Sequence, residues 1–150
     1  MKRTLILISA ALLCAACTTS TTVTLLEAAV NAAVAFDAVE QPANIPYLAI
    51  VTGCLDSAEV ELASGQTALV ESSVIAADCA AAVAAGKVGG ITAQAVVAAL
   101  NAFLAAVEVP ATPAALSAAK VTPVKLSRAD GARLKRIAGK IVTLKSRYGR

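Results

Sequence analysis

The stretch from residue 48 to residue 83, LAIVTGCLDSAEVELASGQTALVESSVIAADCAAAV, decides the fold. Leu48, Val51, Leu55, Ala58 and Leu62 recur at spacings of three and four, which marks one face of a helix. Beyond Ser64-Gly65-Gln66, a candidate turn, Leu69, Ser72, Ala76, Cys79 and Val83 form a second, weaker stripe. Cys54 lies eleven residues before Gly65, and Cys79 lies thirteen after Gln66. A reversal at Gly65-Gln66 therefore brings the two cysteines nearly level in an antiparallel hairpin. Packed helix axes lie about 8–10 Å apart, less where alanine lines the contact. The two Cα atoms then come within the roughly 4.4–6.8 Å that a disulfide spans. The competing reading is one continuous helix through Gly65, since a lone glycine costs only about 1 kcal/mol. It would hold the cysteines about 37 Å apart and forbid a bond.

Working outward, the same periodicity appears on both sides. Leu25, Ala29, Ala32, Phe36 and Val39 make an earlier stripe, closed by the proline-containing segment from Gln41 to Pro46. Pro46 suits the first turn of the next helix. After Gly86-Lys87-Val88-Gly89-Gly90, Thr92 is the expected N-cap of a helix carrying Val96, Leu100, Phe103 and Val107, with Val97 and Leu104 beside them. Ile91 to Val107 contains no charge. It reads as a buried bundle helix, because it falls short of the roughly 20 residues of a membrane span and is interrupted by Thr92, Gln94 and Asn101.

Pro110, Pro113 and Pro123 then break regular helix and predict a semi-rigid linker. Ser127-Arg128-Ala129-Asp130 matches a capping box. Leu134, Ile137, Ile141, Leu144 and Tyr148 follow at a three-four spacing, surrounded by Arg133, Lys135, Arg136, Lys140, Lys145 and Arg147. The expected fold is all-α: a small alanine-rich bundle of about four helices, a Pro-containing linker and a C-terminal basic amphipathic helix.

Composition agrees. Alanine supplies about a quarter of the chain, far above its average share, while aromatics are 3% and Trp is absent. Alanine favours helix and buries little area per residue, so the core should be thin and the helices close. His is absent, which removes the commonest general base and metal ligand. Ser57, Ser64, Ser72 and Ser73 thus lack a histidine to activate them, and nothing positions Lys87 to serve instead. Glu59 and Glu61 read as a solvated helix face. No catalytic function, metal or cofactor is expected.

Charge divides the chain in two. Of 13 Lys and Arg, ten lie from Lys120 onward, and nine of the 10 acids precede that point. Two readings of the basic helix stand side by side: it docks on the acidic bundle of its own chain, or it is an arm for an anionic surface. Phospholipid headgroups, lipopolysaccharide phosphates and the cell wall are the surfaces that chemistry suits.

At the other end, Met1-Lys2-Arg3 is a charged leader segment and Leu5 to Leu13 an apolar one, followed by the small pair Ala15-Ala16. This order is that of a secretory signal. Cys14-Ala15-Ala16-Cys17 resembles the lipobox of bacterial lipoproteins, with Cys14 standing where Leu is usual. The resemblance implies a diacylglyceryl group on Cys17 and cleavage just before it. It divides the chain into a signal peptide (1–16), a lipidated tether (17–22), a helical bundle (23–108), a linker (109–126) and the basic helix (127–150). Thr18 after the cysteine points to an outer membrane, facing the periplasm, where the cell has one. With Cys14 lost and Cys17 lipidated, Cys54 and Cys79 remain as an expected disulfide in an oxidising compartment.

The function these features imply is that of a non-enzymatic, membrane-anchored envelope lipoprotein. Its basic tail would contact membrane, cell wall or a protein partner. Nucleic acid is not an expected partner for an exported, lipid-anchored chain, whereas the heptad-like stripes would also suit a homo-oligomer. The alternative is a membrane-active, holin-like lysis protein, whose leader and uncharged helix would both cross the bilayer.

Overall fold

A computed structural model describes residues 2–40, 45–64, 72–107 and 126–148, with side chains described over 20–39, 45–64, 75–107 and 126–148. Five helices and no strand occur among the described residues: α1 (Lys2–Glu40), α2 (Ile45–Ser64), α3 (Ser72–Gly86), α4 (Ile91–Val107) and α5 (Arg128–Tyr148). The fold is all-α. The Gly65-Gln66 turn, and the linker except for Leu126, lie outside the described residues, as do the side chains of Cys14 and Cys17.

Three cross-helix relationships establish that α2 and α3 are antiparallel. Cys54 is bonded to Cys79 with a Cα–Cα distance of 4.8 Å. One turn on, the Ser57 hydroxyl reaches Asp78 Oδ2 at 3.3 Å, and at the other end Gly86 packs on Tyr47. These pairs are centred near residue 66 of the chain, where the hairpin reading requires the reversal. A continuous helix through Gly65 is thereby excluded.

α4 follows α3 through a four-residue turn, Lys87 to Gly90. Lys87, Val88 and Gly89 donate to the last carbonyls of α3, satisfying acceptors that a helix end leaves open. Gly90 takes φ +91°, a left-handed conformation that costs glycine little. Its carbonyl accepts from the Gln94 N–H, so Gly90 rather than Thr92 is the N-cap of α4. Thr92 falls inside the first turn because the positive-φ residue ends the loop two positions earlier.

α1 packs on α4 and α5 and, less extensively, on α2; α2 packs on α3 and α5, and α3 on α4. The basic helix α5 thus fills a groove between α1 and α2, instead of standing apart behind its linker. Leu134, Ile137, Ile141 and Leu144, the stripe read from spacing, are buried there. α4 buries Ala93, Val96, Val97, Leu100 and Phe103 in the bundle and exposes Gln94, Ala98 and Asn101.

Two stripes differ from expectation by about one residue. The buried face of α1 is Val23, Leu26, Ala29, Val30, Ala33 and Phe36, while Leu25 and Ala32 are half-buried and Val39 is exposed. A helix touched by three neighbours buries a face wider than a single stripe. In α3 the buried positions among the described side chains are Ile75, Cys79, Ala82 and Gly86, one step from the Ala76 and Val83 read from spacing, because α3 packs on α4 as well as α2; the side chains of Leu69 and Ser72 lie outside the described residues.

The tether expected at 17–22 lies inside α1, and Thr22 and Val23 are already buried. The threonine-rich run continues the helix because its hydroxyls can bond back to the preceding turn, as Thr24 Oγ1 does to the Ser20 carbonyl at 2.9 Å. α1 is an N-terminal apolar helix of the kind a signal sequence or a membrane span requires. Its Ser20–Val39 segment is long and apolar enough to cross a membrane, yet close to half of it is buried inside the protein.

Candidate functional site

The basic helix starts on a well-formed cap. Ser127 Oγ accepts from the Asp130 N–H at 3.0 Å and donates to Asp130 Oδ2 at 2.7 Å. The Gly131 N–H bonds the Ser127 carbonyl at 2.9 Å, closing the first helical turn. Asp130 also places a negative charge at the positive end of the helix macrodipole, where it stabilises.

From this start, cations along α5 meet polar side chains of the neighbouring helices. Arg133 donates to Glu27 Oε2 through Nη2 at 2.8 Å and Nε at 3.1 Å, and to Thr24 Oγ1 at 3.0 Å. Lys140 donates to Asn31 Oδ1, Lys145 pairs with Asp56 at 2.6 Å, and Arg147 with Asp37 at 2.6 Å. Along α1 these partners ascend from Glu27 through Asn31 to Asp37, while on α5 they ascend from Arg133 through Lys140 to Arg147. The two helices are therefore parallel.

The pairing has electrostatic consequences. The Arg133 hydrogen bond, with help from the charges of Arg133, Arg136 and Lys140, holds the Glu27 carboxyl below its ordinary range against the opposing effect of burial. On α2, burial and the neighbouring Asp56 charge push Glu59 upward. Glu59 and Glu61 are half-buried, so the solvated face read from sequence is partly covered.

The six cations expected to form one contact surface therefore separate. Arg133, Lys145 and Arg147 lie on three different carboxylates, whereas Lys135, Arg136 and Lys140 remain exposed and form no ion pair among the described residues. Arg128, which the sequence reading absorbed into the capping box, is exposed on the same side as Lys135. Its signal was helical phase: seven residues separate Arg128 from Lys135, two turns of helix.

A second feature lies at the far end of the bundle. Tyr47 is buried edge-on against Phe36, with ring centroids 5.2 Å apart, beside an open apolar hollow of about 240 Å³. Its hydroxyl has no hydrogen-bond partner among the described residues, and burial pushes the phenol up to about 12.

No family model, curated protein or solved structure matches this chain.

Proposed function

We propose that the chain is a non-enzymatic envelope lipoprotein: a disulfide-closed helical module held at a membrane through lipid on Cys17. The observation that carries this reading is the Cys54–Cys79 bond. It commits both downstream cysteines to the bundle, in a form that persists in exported compartments. Cys17 is then the thiol left at the end of the leader for modification. The burial of Thr22 and Val23 supports the same division, since it sets packed side chains of α1 only five positions after Cys17. The basic helix supplies the contact surface for membrane, cell wall or a protein partner. In a cell with two membranes the module sits on the outer one, facing the periplasm.

Radiolabelled palmitate fed to expressing cells should label the wild-type chain and not Cys17→Ala. Intact mass of the membrane fraction without reductant should show the leader removed, lipid added and the disulfide closed. A wild-type chain that takes up no label overturns the proposal.

A further inference from the structure

We infer that the outer edge of α5 faces the bilayer, with Arg128, Lys135, Arg136 and Lys140 on anionic phospholipid headgroups of the membrane that holds the chain's own anchor. This rests on the lipid-anchored reading above and adds the partner and the orientation.

The parallel register of α1 and α5 carries it. Glu27 and Arg133 are level, because they form an ion pair. Cys17 lies ten residues before Glu27 on α1, about 15 Å along the axis. Arg128 lies five residues before Arg133 on α5, about 8 Å in the same direction. The exposed cations of α5 therefore begin close to the level of the lipidated residue and run away from it along the neighbouring helix. The Tyr47 hollow and Lys87 lie at the opposite end, beyond Phe36.

Net charge on this flank is positive, although Glu27 and Asp130 share the one Arg133. Among the described side chains, the carboxylates of α1 and α5 are Glu27, Asp37 and Asp130, and each is paired with an arginine. What remains outward is Arg128, Lys135 and Arg136, with Val142, 64% exposed, as an apolar contact two turns beyond Lys135; Lys140 is exposed at the seam with α1, where it also holds the Asn31 amide oxygen. α2 and α3 contain no Lys or Arg, and carry Glu59, Glu61 and Asp78. An anionic surface attracts the first flank and repels the second. Each cation near such a surface is worth about fivefold in population, so four together favour the α5-down orientation by roughly a hundredfold or more. The anchor sets which membrane the protein is on; this edge sets which side of it lies down.

The test uses the full chain, purified with its anchor and reconstituted into vesicles of phosphatidylcholine alone or with a third phosphatidylglycerol. A water-soluble amine-acylating reagent reads exposure, lysine by lysine, through peptide mass spectrometry. Lys135 and Lys140 should label several-fold more slowly on the anionic vesicles, with Lys87 unchanged, and high salt should abolish the difference. Arg128→Gln with Arg136→Gln should remove most of the protection while the Cys54–Cys79 bond and helix content persist. Equal labelling of Lys135 on both vesicles overturns the inference. So does protection by lipopolysaccharide or cell-wall fragments but not by phosphatidylglycerol. Flotation separates the two claims: a chain that floats yet shows no protection defeats only this one, and a chain that does not float defeats both.

Discussion

Arg147, in the last turn of α5, donates to Asp37 near the end of α1 at 2.6 Å, and the Asp37 side chain is only 5% exposed. Lys145, two residues away, pairs with Asp56 at the same distance, but there both partners are about one-third exposed. Identical geometry in different surroundings should have different energetic weight. A charge pair shared with solvent contributes little, whereas a buried carboxylate that loses a charged donor bears more of its desolvation cost.

Arg147→Ala should therefore destabilise the full chain by about 1–3 kcal/mol, and Lys145→Ala by less than about 1 kcal/mol. Urea unfolding ranks the two. Equal losses would contradict the burial argument.

Glu27 and Glu59 predict pH dependences of opposite sign. The folded-state pKa of Glu27 is lowered, so its contribution is present above the ordinary value of 4.5 and is lost as pH falls through the lower folded value. Glu27→Gln should weaken the protein at neutral pH and have little effect in strong acid. The folded-state pKa of Glu59 is raised, so stability falls as pH climbs from 4.5 through the raised value and the cost is complete above it. Glu59→Gln should raise the melting temperature at neutral pH, with the gain fading as pH falls to 4.5. Thermal unfolding across that range would show either slope reversed if the assignments fail.

The disulfide closes a loop of 25 residues in sequence separation. Loop-closure entropy puts its stabilisation at about 3.5 kcal/mol. Cys54→Ala with Cys79→Ala should lose roughly that amount at equilibrium. Since both cysteines are fully buried, reductant should act slowly on the folded protein and quickly once denaturant is added. Rapid reduction under native conditions would show that the hairpin opens readily.

Tyr47 and Gly86 form a tight junction between α2, α3 and α4. A Cβ on Gly86 would lie 2.6 Å from Tyr47 Oη and closer still to Val97 Cγ2. Gly86→Ala should cost about 1–3 kcal/mol through overpacking, and Val97→Ala should recover part of it. Tyr47→Phe removes a buried hydroxyl that has no partner, so it should be neutral or stabilising by up to about 1 kcal/mol. In an ultraviolet titration one of the two tyrosines should ionise near 12, and Tyr47→Phe should abolish that step. Its folded pKa is raised, so the wild-type chain should lose stability as pH climbs from 10 toward 12, a loss that Tyr47→Phe should not share. A low-pKa phenol surviving alone in Tyr148→Phe would refute the burial assigned to Tyr47.

Much of the framework was legible in local pattern. The stripes of α2, α4 and α5, the Ser127–Asp130 cap and the Cys54–Cys79 register all depend on residues near one another in sequence, or on equal distances from one turn. The misses have physical causes. Val39 fits a helical stripe but is 72% exposed, and the buried face of α1 is set by which helices surround it. Thr92 is a good capping residue by type, yet Gly90 alone reaches the left-handed conformation that ends the loop.

The sequence by itself determined that this protein is helical, where its charges change sign, and which two cysteines a hairpin would join, because periodicity, composition and turn spacing are local properties. The tertiary structure decided what the basic helix does with its charge. Burial of Leu134, Ile137, Ile141 and Leu144 seats α5 between α1 and α2, where its polar partners run parallel to α1 from Glu27 to Asp37. That packing brings Arg133 to Glu27, across a sequence separation of 106 residues. It also turns Lys135 and Arg136 to solvent, a sorting of like charges that depends on which face the apolar stripe must bury.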